Sequence, residues 1–172
     1  GGGILCVDSS VSVEECAIVD NSVITDDPVA IGGAGIACIG GACAIEESRI
    51  SGNVVEDNSG QGGGVSCEGA ATTIWGNAIT GNDGGGFNNT TVIDAAVIDA
   101  SGNWWGTRTA AGVAAEISGN VDFTRFLLTG EDTSVEPGFQ PTLGKGNVRV
   151  KVVGGRLMIT GDNLDNQIII EK

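Results

Sequence analysis

Two carboxylate pairs, Glu14-Glu15 and Glu46-Glu47, have the type and spacing for chemistry. They lie 32 residues apart at equivalent places in a repeat, so stacking in register gathers four acids. Such a group can hold calcium, work as the acid and base of a glycosidase, or point into water. Like charges about 5 Å apart on neighbouring coils leave a bound cation or a solvated turn, and charge runs usually mark a solvated face. Histidine and tyrosine are absent from the 172 residues, which excludes His-based triads, His-ligated zinc and imidazole proton shuttles. Residues 1–107 hold 14 acids and a single base, Arg49. Arg49, adjacent to the Glu46-Glu47 pair, reads as part of a local surface ion pair, and the surrounding charge repels pectate or alginate.

Other candidates are set singly. Trp104 and Trp105, in Asn103-Trp104-Trp105-Gly106, offer rings on which a sugar can stack, although large aromatics more often pack. Asp162 and Asp165, in the turn Gly161-Asp162-Asn163-Leu164-Asp165-Asn166, have oxygens suited to calcium. A plain Asp-cornered turn is the better account of them. Cys6, Cys38 and Cys67 share one repeat position and read as small buried hydrophobes that stay reduced. Cys43 is close enough to Cys38 to close a loop as a disulfide. The fifth, Cys16, aligns with Ser48 and Asn77, where nothing in the repeat asks for a thiol.

What positions these residues is a repeat. Gly1-Gly2-Gly3-Ile4-Leu5-Cys6 returns as Gly33-Ala34-Gly35-Ile36-Ala37-Cys38, as Gly62-Gly63-Gly64-Val65-Ser66-Cys67 and, degenerate, as Gly84-Gly85-Gly86-Phe87. In the first three copies a second apolar position follows nine residues on (Val13, Ile45, Ile74), a third five later (Ile18, Ile50, Ile79), and an asparagine three beyond that (Asn21, Asn53, Asn82). The fourth copy keeps the five-residue step from Ile93 to Ile98. Copies are spaced by 32, 29 and 22 residues, too short for a propeller blade and poor in helix formers. Three short strands per copy fit one turn of a parallel β-solenoid, with like residues stacked: Ile4, Ile36, Val65 and Phe87 in one column, Val13, Ile45, Ile74 and Ile93 in another. Asn21, Asn53 and Asn82 then form a hydrogen-bonded ladder.

The GGGIxC starts and the I-x-x-x-x-I-x-x-N body resemble the right-handed parallel β-helix repeats of pectate-lyase-like superfamily proteins, in particular polymorphic outer-membrane-type and other bacterial surface proteins. The resemblance covers residues 1–106. It implies an all-β, right-handed parallel β-helix, and it leaves function open, since such coils serve lyases, hydrolases, adhesins and stalks alike. Asn103-Trp104-Trp105-Gly106 and a short helix over 110–117 are similar to the C-terminal cap of secreted β-helix proteins. A lyase of this kind pairs calcium-binding acids with Arg or Lys at the reacting carbon, and here only Arg49 stands in the coils.

Three parts are expected: a capped β-helix over 1–128, a linker over 129–146, and a truncated three-stranded β-hairpin module over 147–172 turning at Gly154-Gly155. The functional expectation is a non-catalytic β-helix segment of a secreted or cell-surface bacterial protein, acting as stalk, adhesin-like or glycan-contacting surface. The alternative is a fragment of a polysaccharide lyase or glycoside hydrolase whose site lies mostly in coils before Gly1. A net charge of −14 points away from nucleic acid and toward neutral or cationic glycan or another surface protein. No run of residues is apolar enough for a membrane span. No cofactor is expected, although the acids provide donors suited to calcium.

Overall fold

Apolar and polar residues alternate over three to five positions in each copy and then stop at Gly, Asp or Glu, giving strands too short to be stable unless stacked. The structure, a computed structural model, describes residues 2–24, 32–56, 62–90, 97–141, 149–153 and 156–160. Coil one holds β1 (Ile4–Val7), β2 (Ser10–Glu14), β3 (Ala17–Val19) and β4 (Ser22–Val23). Coil two repeats them as β5 (Ile36–Ile39), β6 (Ala42–Glu46), β7 (Arg49–Ser51) and β8 (Val54–Val55), and coil three supplies β9 (Val65–Glu68), β10 (Ala71–Trp75) and β11 (Ala78–Thr80). Further on come β12 (Phe87–Asn89), β13 (Ile98–Asp99), helix α1 (Ala110–Ala115), β14 (Ile117–Ser118) and β15 (Val121–Asp122).

Each strand pairs in parallel with its equivalent one coil away. The sheets run β1-β5-β9-β12-β14, β2-β6-β10, β3-β7-β11, β4-β8 and β13-β15, so these coils form a parallel β-solenoid. The expected columns form: Ile4, Ile36, Val65 and Phe87 in register, then Val13, Ile45 and Ile74, then Ile18, Ile50 and Ile79. Ile36, Ile45, Ile50, Val65, Ile74 and Ile79 are fully buried, each worth about 1.5–3 kcal/mol relative to exposure. Ile93 lies outside the described residues.

The glycine signature has a steric cause. A β-carbon on Gly3 would sit 2.6 Å from the Gly35 carbonyl oxygen, and one on Gly35 would sit 2.5 Å from that of Gly64. The same two glycines lie against the Asn21 and Asn53 amides, so the third glycine of each copy is the floor on which its own asparagine rests. The corners are a second ladder. Asp8 stands over Gly40 and Asp20 over Gly52, with φ of 46, 63, 54 and 67°, all in the left-handed region.

Downstream of coil three the structure departs from expectation. Asn103-Trp104-Trp105-Gly106 is a rung of a fourth coil: Trp104 bridges Ala78 in parallel, Ile79 N–H donates to the Trp104 carbonyl (2.8 Å), and Trp105 takes the place below Ile79. Ile98, expected in the Ile18-Ile50-Ile79 column, pairs instead with Val121. The bulkier Trp105 fills that column. Helix α1 starts on Thr109, whose hydroxyl accepts from Gly112 N–H, and it ends at Ala115, short of the expected 117. Ile117 is in strand conformation because it continues the Phe87 column.

Two compact units divide the chain, Gly1–Pro141 and Thr142–Lys172. Residues 129–141, the first part of the expected linker, therefore belong to the solenoid unit. They form a strap: Asp132 pairs with Arg49 at 3.1 Å, Phe139 N–H donates to the Glu47 carbonyl (2.8 Å), and the Phe139 ring is 0% exposed. In the second unit β16 (Arg149–Val153) and β17 (Arg156–Thr160) pair antiparallel. Gly154-Gly155 and Ile168–170 lie outside the described residues.

Candidate functional site

The second sheet, β2-β6-β10, turns three columns of side chains outward: Ser10, Ala42 and Ala71; Ser12, Ala44 and Thr73; and Glu14, Glu46 and Trp75. Asn77 bonds Asn103, 26 residues on, and at the same offset Asp99 succeeds Thr73 and Ser101 succeeds Trp75. Between the last two columns lies an open groove of about 250 Å³ lined by Glu46, Thr72, Thr73, Ile74, Trp75, Asp99 and Ser101. Trp75 is 37% exposed, a high value for an indole, and is the one tryptophan among the exposed large hydrophobic residues. Gly102, at φ +70°, holds it in place: a β-carbon there would lie 2.6 Å from Trp75 Nε1, so the indole rests on bare backbone. The Asp99 carboxylate is oriented by Ser101 N–H at 2.9 Å. Sequence reasoning missed Trp75 and Asp99. The signal was present, since Trp75 sits where the equivalent residue of the two earlier coils is glutamate.

The residues singled out from the sequence fall elsewhere. Trp105 is 2% exposed and lines the core, with Gly86 against its ring, so it offers no face to a sugar. Trp104 is half-buried beneath Gly130 of the strap. Glu14 and Glu46 are in register. Glu15 and Glu47 occupy left-handed corners (φ 50 and 46°), the places taken by Gly76 and Gly102 in later coils. Gly138 of the strap packs on the Glu15 and Glu47 backbones. Among the described residues no group of three acid, thiol or imidazole side chains converges as a metal site. Asp162 and Asp165 lie outside the described residues.

Two asparagine ladders run through the coils. Asn21 donates to Asn53 Oδ1 from its backbone N–H (3.1 Å) and its side-chain amide (2.9 Å), and Asn53 repeats both bonds to Asn82. The second ladder passes from Cys16 N–H to Ser48 Oγ, from Ser48 N–H to Asn77 Oδ1, and from Asn77 to Asn103 Oδ1. Cys16 thus marks the end of a ladder that begins as serine and matures into asparagine. Asn103 Nδ2 also donates to the Ile74 and Ala100 carbonyls, bracing the coil that carries Asp99 and Ser101.

All five cysteines are free. Cys6, Cys38 and Cys67 are buried in register, with Cys43 buried beside them. Hydrogen bonds with Cys43 and Cys67, and then burial, hold the Cys38 thiol far above the ordinary range. Burial raises Cys6 as well, while the bond from Cys38 lowers Cys43. No helix of the described residues is long and apolar enough to cross a membrane. In comparisons with protein-family models, curated proteins and solved structures, nothing matches this chain.

Proposed function

We propose that this chain is a non-catalytic segment of a bacterial secreted or cell-surface β-helix protein, of the right-handed pectate-lyase-like kind its repeats resemble, and that its second sheet contacts a glycan. The observation that carries this is the Trp75 indole, exposed on the wall of a groove that also presents the hydroxyls of Thr73 and Ser101 and the carboxylates of Glu46 and Asp99. An aromatic face beside hydrogen-bonding side chains is the chemistry that recognises a sugar ring, apolar on its faces and polar at its edge. Elsewhere the buried polar side chains of the coils are largely spent on the ladders, a division of labour that suits a scaffold.

The test is fluorescence titration of the whole chain with neutral, cationic and anionic oligosaccharides, beside Trp75→Ala. A saturable change that Trp75→Ala abolishes, with far-UV circular dichroism unaltered, is the expected result. Binding that survives Trp75→Ala, or no binding of any glycan class, overturns the groove as the contact.

A further inference from the structure

We infer that the groove selects glycans bearing protonated amines, such as oligomers of glucosamine, over neutral and uronate-bearing ones. This rests on the glycan-contact reading above and assigns it a ligand class. The lining contains two carboxylates, Glu46 and Asp99, and no cation. On the far side of Glu46 its registered partner Glu14 adds a third acid to the same outward column. An indole face attracts a cation through its quadrupole, most strongly where the cation is partly desolvated. A carboxylate on the same wall supplies the charge-assisted hydrogen bond that an ammonium group requires.

An amino sugar meets all three chemistries at once. Its apolar ring face suits Trp75, its ammonium suits Glu46 or Asp99, and its hydroxyls suit Thr73 and Ser101. A neutral sugar leaves both carboxylates without a charged partner. A uronate brings like charge to a wall set in a region of 14 acids and one base, and repulsion of that kind is how a surface rejects a wrong ligand. A lysine-rich peptide offers the ammonium but no ring to cover the indole.

The deciding experiment titrates the full chain with four probes: a glucosamine hexamer, its fully N-acetylated counterpart, an oligogalacturonate and hexalysine. Glu46→Gln and Asp99→Asn run alongside, each checked for unaltered far-UV circular dichroism. The glucosamine hexamer is expected to bind tightest, and each variant to weaken it about three- to tenfold and to weaken the acetylated oligomer less. Raising salt to about 0.5 M should weaken the glucosamine hexamer selectively. If the acetylated oligomer binds as tightly as the amine, in a Trp75-dependent way, amine selectivity is wrong and the glycan-contact reading stands. If hexalysine matches the glucosamine hexamer, charge alone is being read and the inference fails. If no oligosaccharide binds, both fall together.

Discussion

The cysteines show how burial changes the chemistry of one residue type. An unfolded thiol ionises at about 8.5, whereas hydrogen-bonded thiol neighbours and burial hold Cys38 above that, and burial holds Cys6 above it. Above that pH the unfolded chain has lost protons that the folded chain keeps. The contribution of these two groups to stability is therefore whole below the unfolded pKa and declines as pH rises through it, with the lowered Cys43 offsetting part. Urea midpoints should fall between pH 8 and 10, and replacing Cys38 by Ala should flatten that decline. A decline as steep without Cys38 would place its origin elsewhere. Under native conditions the half-exposed Cys16 should be the first thiol that a disulfide reagent labels.

At the scale of the element, the ladders join coils that share little backbone per turn. Asn103 is fully buried and satisfies the backbone and side chain of Asn77 and two carbonyls. Asn103→Ala should cost about 1–3 kcal/mol, the penalty for buried partners left unpaired. Asn21, at the partly exposed end of its ladder, should cost under about 1 kcal/mol, because water replaces it. Equal losses in chemical denaturation would mean the ladders carry no such gradient. Much of this architecture was legible in the sequence. The GGGIxC starts and the apolar steps of nine and five residues gave the coils, the columns and the first ladder, because a stacked repeat constrains equivalent positions alike. The fourth coil was less legible. Its column position changes from Ile79 to Trp105, and its asparagine stands within a motif that also suits a chain terminus. The groove was hidden for a related reason: although Trp75 breaks a glutamate column, Asp99 faces outward, where the repeat imposes no pattern, and the two meet only through a register that the sequence leaves open.

The whole solenoid unit is closed along one side by the strap, and Phe139 is its anchor. The Arg49–Asp132 pair is partly exposed, with side chains 45% and 19% accessible, and pairs of that kind contribute about 0–1 kcal/mol. A fully buried phenylalanine is worth several times as much. Phe139→Ala should therefore free residues 129–141 for proteolysis, while Arg49→Ala, which removes the ion pair and keeps the Ser134 and Gln140 N–H bonds to Asp132, should leave the cleavage rate within about threefold of the parent. A protease that cuts both variants equally fast would transfer the anchoring role to the ion pair. The same strap governs how the molecule bears load. It runs from Trp104 of the fourth coil back to Glu47 and Glu15 of the second and first, so a pull on the chain beyond Pro141 reaches the flank of the early coils before it reaches the last one. The terminal coil, which peeling would remove rung by rung, is thereby shielded by a side-mounted tether that must first be sheared off.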